Sequence, residues 1–230
     1  MNVVLVHGAF RGGWSFDRLR PLLDDHVATF APDLLGMGRP DATTAGPVTL
    51  DDWCAQLLEL VRSADLRDVV LVGHSQGGLV VRALGDRLDD RVRLVAYLDA
   101  PLADVGQRGV DLMGGPPPDP ALLPPRGTVL PPAPVEPDGD VSAALAEWIN
   151  ARLGPTPFGP SLDPVTARPS AAPTVSAFCA WTPDAFPSAV TRRQLDAEGR
   201  PYDLLDAPHD APITHPAVVA GWLLGHLGLA

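Results

Sequence analysis

The stretch Val69–Gly78, VVLVGHSQGG, runs from apolar, β-branched residues into a G-x-S-x-G pattern that frames Ser75 with Gly73 and Gly77. A helix is predicted immediately after it, which places Ser75 on a strand–turn–helix elbow. Such a turn strains the serine backbone and lifts its side chain above the sheet. Glycines at 73 and 77 remove the Cβ atoms that would crowd it. The start of the following helix offers free N–H groups and a positive dipole end. The Gln76 N–H can therefore face an oxyanion formed beside Ser75. The chemistry on offer is nucleophilic attack on a carbonyl.

A serine hydroxyl needs a base at neutral pH. Among six histidines, His74 adjoins the serine in the elbow and has the wrong direction. His7 ends the first predicted strand, His26 lies in a polar turn, and His226 falls in the last predicted helix. His215 precedes Pro216 at the start of that helix. His209 differs, because its loop, DAPHDAP, follows the last predicted strand. In a parallel sheet, loops at strand C-termini share one edge with the elbow. The base in turn needs a carboxylate to hold its tautomer. Asp184 in WTPDAF and Asp99 in RLVAYLDA both follow predicted strands and both lie between serine and histidine. Spacing leaves the two open. The second oxyanion donor is expected in HGAFRGGW, His7–Trp14, with the Ala9 N–H first and Phe10 next. One such donor is worth roughly 3–4 kcal/mol of transition-state stabilisation.

The elements that would carry these residues alternate. Strands are predicted at Val3–Val6, Val27–Ala31, Val69–Val72 and Val92–Leu98. Helices are predicted at Trp14–Leu23, Leu50–Ser63 and Gln76–Leu88. This alternation implies a parallel sheet covered by helices. It stops at Pro101–Pro173, which holds most of the prolines and one helical segment, Val141–Leu153. It resumes with a strand at Pro173–Ala180, a helix at Ala185–Ala197, a strand at Tyr202–Leu205 and a helix at Pro216–Leu227. The expected fold class is α/β. Residues 1–100 and 171–230 form the core, and a Pro-rich insertion at 101–170 forms a lid.

The 230 residues are 46% hydrophobic, and 17 basic against 28 acidic side chains leave a net charge of −11. That balance argues against nucleic acid and anionic membranes as partners, and says little about a small substrate, whose pocket can be neutral. No lysine occurs, which excludes lysine-based mechanisms. Cys54 and Cys179 read as two buried thiols without metal-ligand spacing. No metal or organic cofactor is implied. The chain opens directly on a strand and contains no apolar run of about 18–20 residues, which points to a cytoplasmic location.

With these residues assembled, the chain resembles an α/β-hydrolase. More narrowly, it is similar to the group of plant methyl-ester esterases, hydroxynitrile lyases and their bacterial relatives. VVLVHGAFRGGWSFDRLRPLL, APDLLGMGRP, LVGHSQGG and PYDLLDAPHDAPITHPAVVA carry the resemblance over nearly the whole chain. It implies that the acid lies in a T-x-D stretch after the penultimate strand. Thr182-Pro183-Asp184 occupies that place, so Asp184 is expected ahead of Asp99. In this group the lyases carry a lysine beside the histidine and a threonine in the first loop. Here Asp210 and Gly8 stand at those places, which favours ester cleavage.

The expected function is a serine hydrolase that cleaves a small, largely apolar carboxylic ester or thioester through an acyl-enzyme. Ser75, His209 and Asp184 form its triad, and Ala9 and Gln76 its oxyanion hole. Phe10, Met113, Trp148, Phe158 and Trp181 are expected as apolar pocket walls. Acyl transfer or cyclisation with the same triad is the alternative. A non-catalytic ligand-binding shell stands behind it.

Overall fold

The computed structural model describes residues 1–88, 90–116 and 118–229; Asp89 and Pro117, inside the expected core and lid, and Ala230 lie outside the described residues. The apolar runs form strands β1 (Asn2–Val6), β2 (Ala28–Phe30), β3 (Val69–His74) and β4 (Val92–Leu98). Two short strands follow in the insertion, β5 (Val129–Leu130) and β6 (Thr156–Pro157). The last two are β7 (Thr174–Cys179) and β8 (Asp203–Leu205). Six of them make one sheet in the order β2-β1-β3-β4-β7-β8, and every neighbouring pair is parallel. Helices cover both faces, so the central strands read as continuous apolar runs rather than alternating ones.

Side chains of successive strand residues nevertheless part to the two faces. Val4, Val6, Val69 and Leu71 join a cluster with Trp53, Leu57, Leu79 and Leu84. Those partners come from α2 (Leu50–Ser63) and α3 (Gly77–Leu84). Val3, Leu5, Val70 and Val72 join Leu23, Val219, Leu223 and Leu227 from α1 (Arg20–Leu23) and the C-terminal helix Pro216–Leu227. Helix α2 starts where the sequence says it should. Thr49 caps it, accepting from the Asp52 N–H at 3.1 Å while the Asp52 carboxylate accepts from the Thr49 N–H at 2.8 Å. This reciprocal pair satisfies two otherwise orphan donors.

Two expected helices are interrupted. Trp14–Leu23 is a 3-10 turn at Gly13–Phe16 and then α1. Pro21 cannot continue a helix from Asp17, having no N–H to donate. The helix expected to reach Leu88 ends at Leu84, because Gly85 adopts φ 49°, a backbone turn that stops α-helical propagation.

Between β4 and β7 the chain leaves the sheet. It forms 3-10 turns, the antiparallel β5–β6 pair and helix α4 (Ala143–Asn150), before α5 (Pro187–Glu198), α6 (Ala211–Thr214) and α7 (Pro216–Leu227) complete the fold. Buried Val141, Ala146, Ile149 and Leu153 of the insertion pack with Ile213, Phe10 and Trp14. The insertion thus has its own small apolar cluster, seated on the loop after β1 and on α6.

The elbow leaves no space at Gly77. A Cβ there would lie 2.2 Å from the Val6 carbonyl oxygen and 2.8 Å from that of His7. Both are backbone atoms of a buried strand end, so neither can swing aside. Gly77→Ala is expected to destabilise the fold by about 3 kcal/mol, the upper end of the usual cost of core overpacking. For a chain of this length that lowers Tm by roughly 6–12 °C. A melting curve within 2–3 °C of the parent (roughly 1 kcal/mol) would show that the elbow can relax.

Candidate active site

Parallel pairing places Val6 beside Gly73 and His74 beside Leu98. The residues that follow β1, β3 and β4 therefore emerge along one edge of the sheet. Ser75 follows β3 at φ 53°. A left-handed setting is unusual for serine and marks a strained elbow. From it the hydroxyl reaches His209, whose Nε2 lies 3.0 Å from Ser75 Oγ.

The other ring nitrogen, Nδ1, lies 2.5 Å from Asp99 Oδ2. Asp99 follows β4 at φ 43°, a conformation that aspartate tolerates better than most side chains. It is 1% exposed. Its carboxylate also accepts from the Thr182 hydroxyl at 2.5 Å and from the Cys179 N–H at 3.2 Å. Burial pushes its pKa up, but the hydrogen bond and charge interaction with His209, with hydrogen bonds from Thr182 and Cys179, outweigh burial and hold it below the ordinary value. An ionised Asp99 requires Nδ1 of His209 to carry the hydrogen. Nε2 then presents its lone pair to the serine hydroxyl.

The aspartate that meets His209 differs from the one expected from the sequence. Asp184 does not reach His209. Its side chain is 89% exposed and faces Arg193 at 3.4 Å. Strand β7 ends at Cys179, and residues 180–186 form turns before α5, which carries Asp184 outward into solvent. The T-x-D stretch still contributes through its first residue, since Thr182 is buried against Asp99.

The His209 loop is held from behind. His74 is buried, and its Nε2–H donates to the His209 carbonyl at 2.8 Å. Its ring lies 5.0 Å from the His209 ring. Burial first, and the neighbouring His209 second, lower the His74 pKa to about 4, so the ring donates as a neutral imidazole. Asp210 turns away from the serine to Arg11, at 2.7 Å. Burial pushes this carboxyl up, but the guanidinium more than offsets it and keeps the pKa below the usual value. These partners were not read from the sequence, because they depend on three loops meeting. An arginine in the first loop and an acid beside the histidine were the only signals.

A cavity of about 530 Å³ opens over Ser75 and His209, and Ala9, Phe10, Gln76, Met113 and Phe158 are in its wall. Among the described residues, no hydrogen-bond partner engages the N–H of Ala9 or of Gln76, whereas the Phe10 N–H donates to Thr156 Oγ1 at 2.7 Å. Two expected wall residues lie elsewhere. Trp148 faces Trp14, with ring centroids 5.5 Å apart, and carries the Arg152 guanidinium 4.3 Å from its ring. Helix α4 packs on the loop after β1, and none of its described residues is in the cavity wall. Trp181 is 46% exposed and packs edge-on against His215, drawn outward with the turn that carries Asp184. Phe186 instead lines the cavity, its ring 4.6 Å from that of His209. Lys and Arg are absent from the described lining, so the space suits an uncharged, largely apolar ligand.

Cys54 and Cys179 are free and buried, and burial pushes the Cys54 thiol up to about 12. Among the described residues, no group of three His, Cys, Asp or Glu side chains is placed to hold a metal ion. Among them, too, no helix is long and apolar enough to cross a membrane.

Comparison with known proteins gives a family model described as "Alpha/beta hydrolase family", matching residues 3–222. The carbendazim hydrolyzing esterase of Nocardioides sp. (strain SG-4G) is 34% identical over 126 residues, covering 54% of this chain and 50% of that protein. Salicylic acid-binding protein 2 of Nicotiana tabacum is 36% identical over 106 residues, covering 45% of this chain and 40% of its own. The chain thus spans half or less of the length of these curated relatives. Among solved structures, an extracellular α/β-hydrolase from a Paenibacillus species superimposes with a TM-score of 0.75 at 18% identity, covering 98% of both chains. At that identity the likeness is one of fold.

Proposed function

The chain belongs to the alpha/beta hydrolase family, and from that premise we propose that it is a serine hydrolase cleaving a small, largely apolar carboxylic ester through an acyl-enzyme. The observation that carries this reading is the line Ser75–His209–Asp99, with contacts of 3.0 and 2.5 Å, at the floor of an apolar cavity. Esterases among the relatives support it.

Ser75 Oγ attacks the ester carbonyl while His209 Nε2 takes its proton. Asp99 holds the ring and stabilises the imidazolium. The N–H groups of Ala9 and Gln76 stabilise the tetrahedral oxyanion. His209 then gives the proton to the departing alcohol, leaving an acyl group on Ser75. Water, deprotonated by the same nitrogen, attacks that acyl carbonyl and frees the acid and the serine. In this reading residues 101–170 are a lid that shapes the acyl and alcohol sites, and no metal or organic cofactor takes part.

A fluorophosphonate tests the assignment directly. One equivalent is expected to attach to Ser75, with loss of fluoride, and to abolish p-nitrophenyl ester turnover in parallel. Turnover that survives full labelling, or an adduct on another residue, would sink the reading. Acyl transfer or cyclisation uses the same residues, and the apolar wall over Ser75 favours it by limiting water. Product mass separates the two: the hydrolysis products together weigh the substrate plus one water, and the products of transfer or cyclisation contain no added water.

A further inference from the structure

Phe10 sits at φ 62°, a setting that a bulky side chain adopts only when its surroundings hold it there. Both polar groups of its backbone are held, and both from the insertion. Its N–H donates to Thr156 Oγ1 at 2.7 Å, and its carbonyl accepts from the Gly154 N–H at 3.2 Å. Gly154 approaches the loop after β2 closely, since a Cβ there would lie 2.4 Å from the Arg39 carbonyl oxygen. Thr156 is 2% exposed, belongs to the β5–β6 pair and shares the cavity wall with Ala9, Ser75 and His209. The side chains of Phe10 and Trp14 pack on the α4 cluster, so the loop after β1 rests on the insertion through its ring contacts as well.

Two successive N–H groups follow Gly8, and either could serve an oxyanion. Of the two, the Phe10 N–H is already taken by the Thr156 hydroxyl. From this arrangement we propose that Thr156 is a positioning residue for the oxyanion loop. By taking the Phe10 N–H, its hydroxyl oxygen holds the strained Phe10 peptide and leaves the Ala9 N–H as the donor beside Ser75. The insertion then has two tasks, shaping the pocket and fixing the geometry of a catalytic donor it does not itself contain. The inference rests on the ester-hydrolase reading above.

Thr156→Val removes the acceptor oxygen at nearly constant volume, and Thr156→Ser keeps it. With a p-nitrophenyl ester, the valine variant is expected to lose at least tenfold in kcat while KM stays within threefold. That loss is a part of the roughly 10²–10³-fold cost of removing an oxyanion donor outright. The serine variant should stay within threefold of the parent in both constants. Affinity for an alkyl boronic acid, which forms a tetrahedral adduct with the serine, should fall in proportion to kcat. If the valine variant does not fold, Thr156→Ala removes the same oxygen and is read by the same criteria. Unchanged kcat, a rise in KM alone, or a serine variant as slow as the valine one overturns the role of Thr156 and leaves the hydrolase reading standing. An inactive parent protein whose Ser75 takes no fluorophosphonate overturns both.

Discussion

Alanine at position 75 should lower kcat for p-nitrophenyl ester hydrolysis by roughly 10⁴–10⁶-fold, the range seen when a triad nucleophile is removed. The fold should survive. Ser75 Oγ contributes one hydrogen bond, to His209, and the left-handed backbone at this site is imposed by the elbow rather than by the hydroxyl. Alanine therefore inherits the strain and adds no atom. KM should change little, because the cavity wall is otherwise intact. Residual turnover would report the N–H groups and bound water alone. The decisive measurement is a single-turnover assay at enzyme excess, which separates a slow variant from traces of parent protein. Turnover within tenfold of the parent would mean that another group attacks the carbonyl.

The second large effect separates the two aspartates. Asp99→Asn should lower kcat by about 10⁴-fold, because an amide in this position can favour the wrong tautomer of the base. With its NH₂ toward Nδ1, His209 must carry its hydrogen on Nε2 and can no longer accept from Ser75. Asp99 also accepts from Thr182 and the Cys179 N–H. One of these donors would face the amide nitrogen, adding a stability cost of about 1–3 kcal/mol. Asp184→Asn should leave kcat and KM within twofold. Its carboxylate stands in solvent with Arg193, and exposed pairs of this kind contribute about 0–1 kcal/mol. Both variants are assayed at one pH near neutrality, with melting curves alongside. A slow Asp184→Asn with an unimpaired Asp99→Asn would return the acid to the T-x-D stretch.

The chain itself specified much of this molecule. The parallel sheet could be read from apolar runs alternating with helical periods, since burial on both faces demands continuous Val, Leu and Ala in the strands. Helix α2 was legible to its ends because its cap chemistry is local. The serine was legible because an elbow needs glycines at fixed offsets, and Gly77 meets backbone 2.2 Å away. The location of His209 followed from the rule that parallel strands deliver their loops to one edge.

Which aspartate meets His209 was decided by tertiary structure. Asp99 and Asp184 both follow strands in the right chain order. Which one meets the ring depends on a backbone reversal at φ 43° and on where residues 180–186 carry the chain, and neither leaves a local signature. The same holds for Thr156, some 146 positions from the Phe10 N–H it accepts. Secondary structure is written in neighbouring residues because its hydrogen bonds and periodicities are short-ranged. Contacts among loops are set by how a distant insertion folds back, and there the spacing of residues along the chain carries no distance in space.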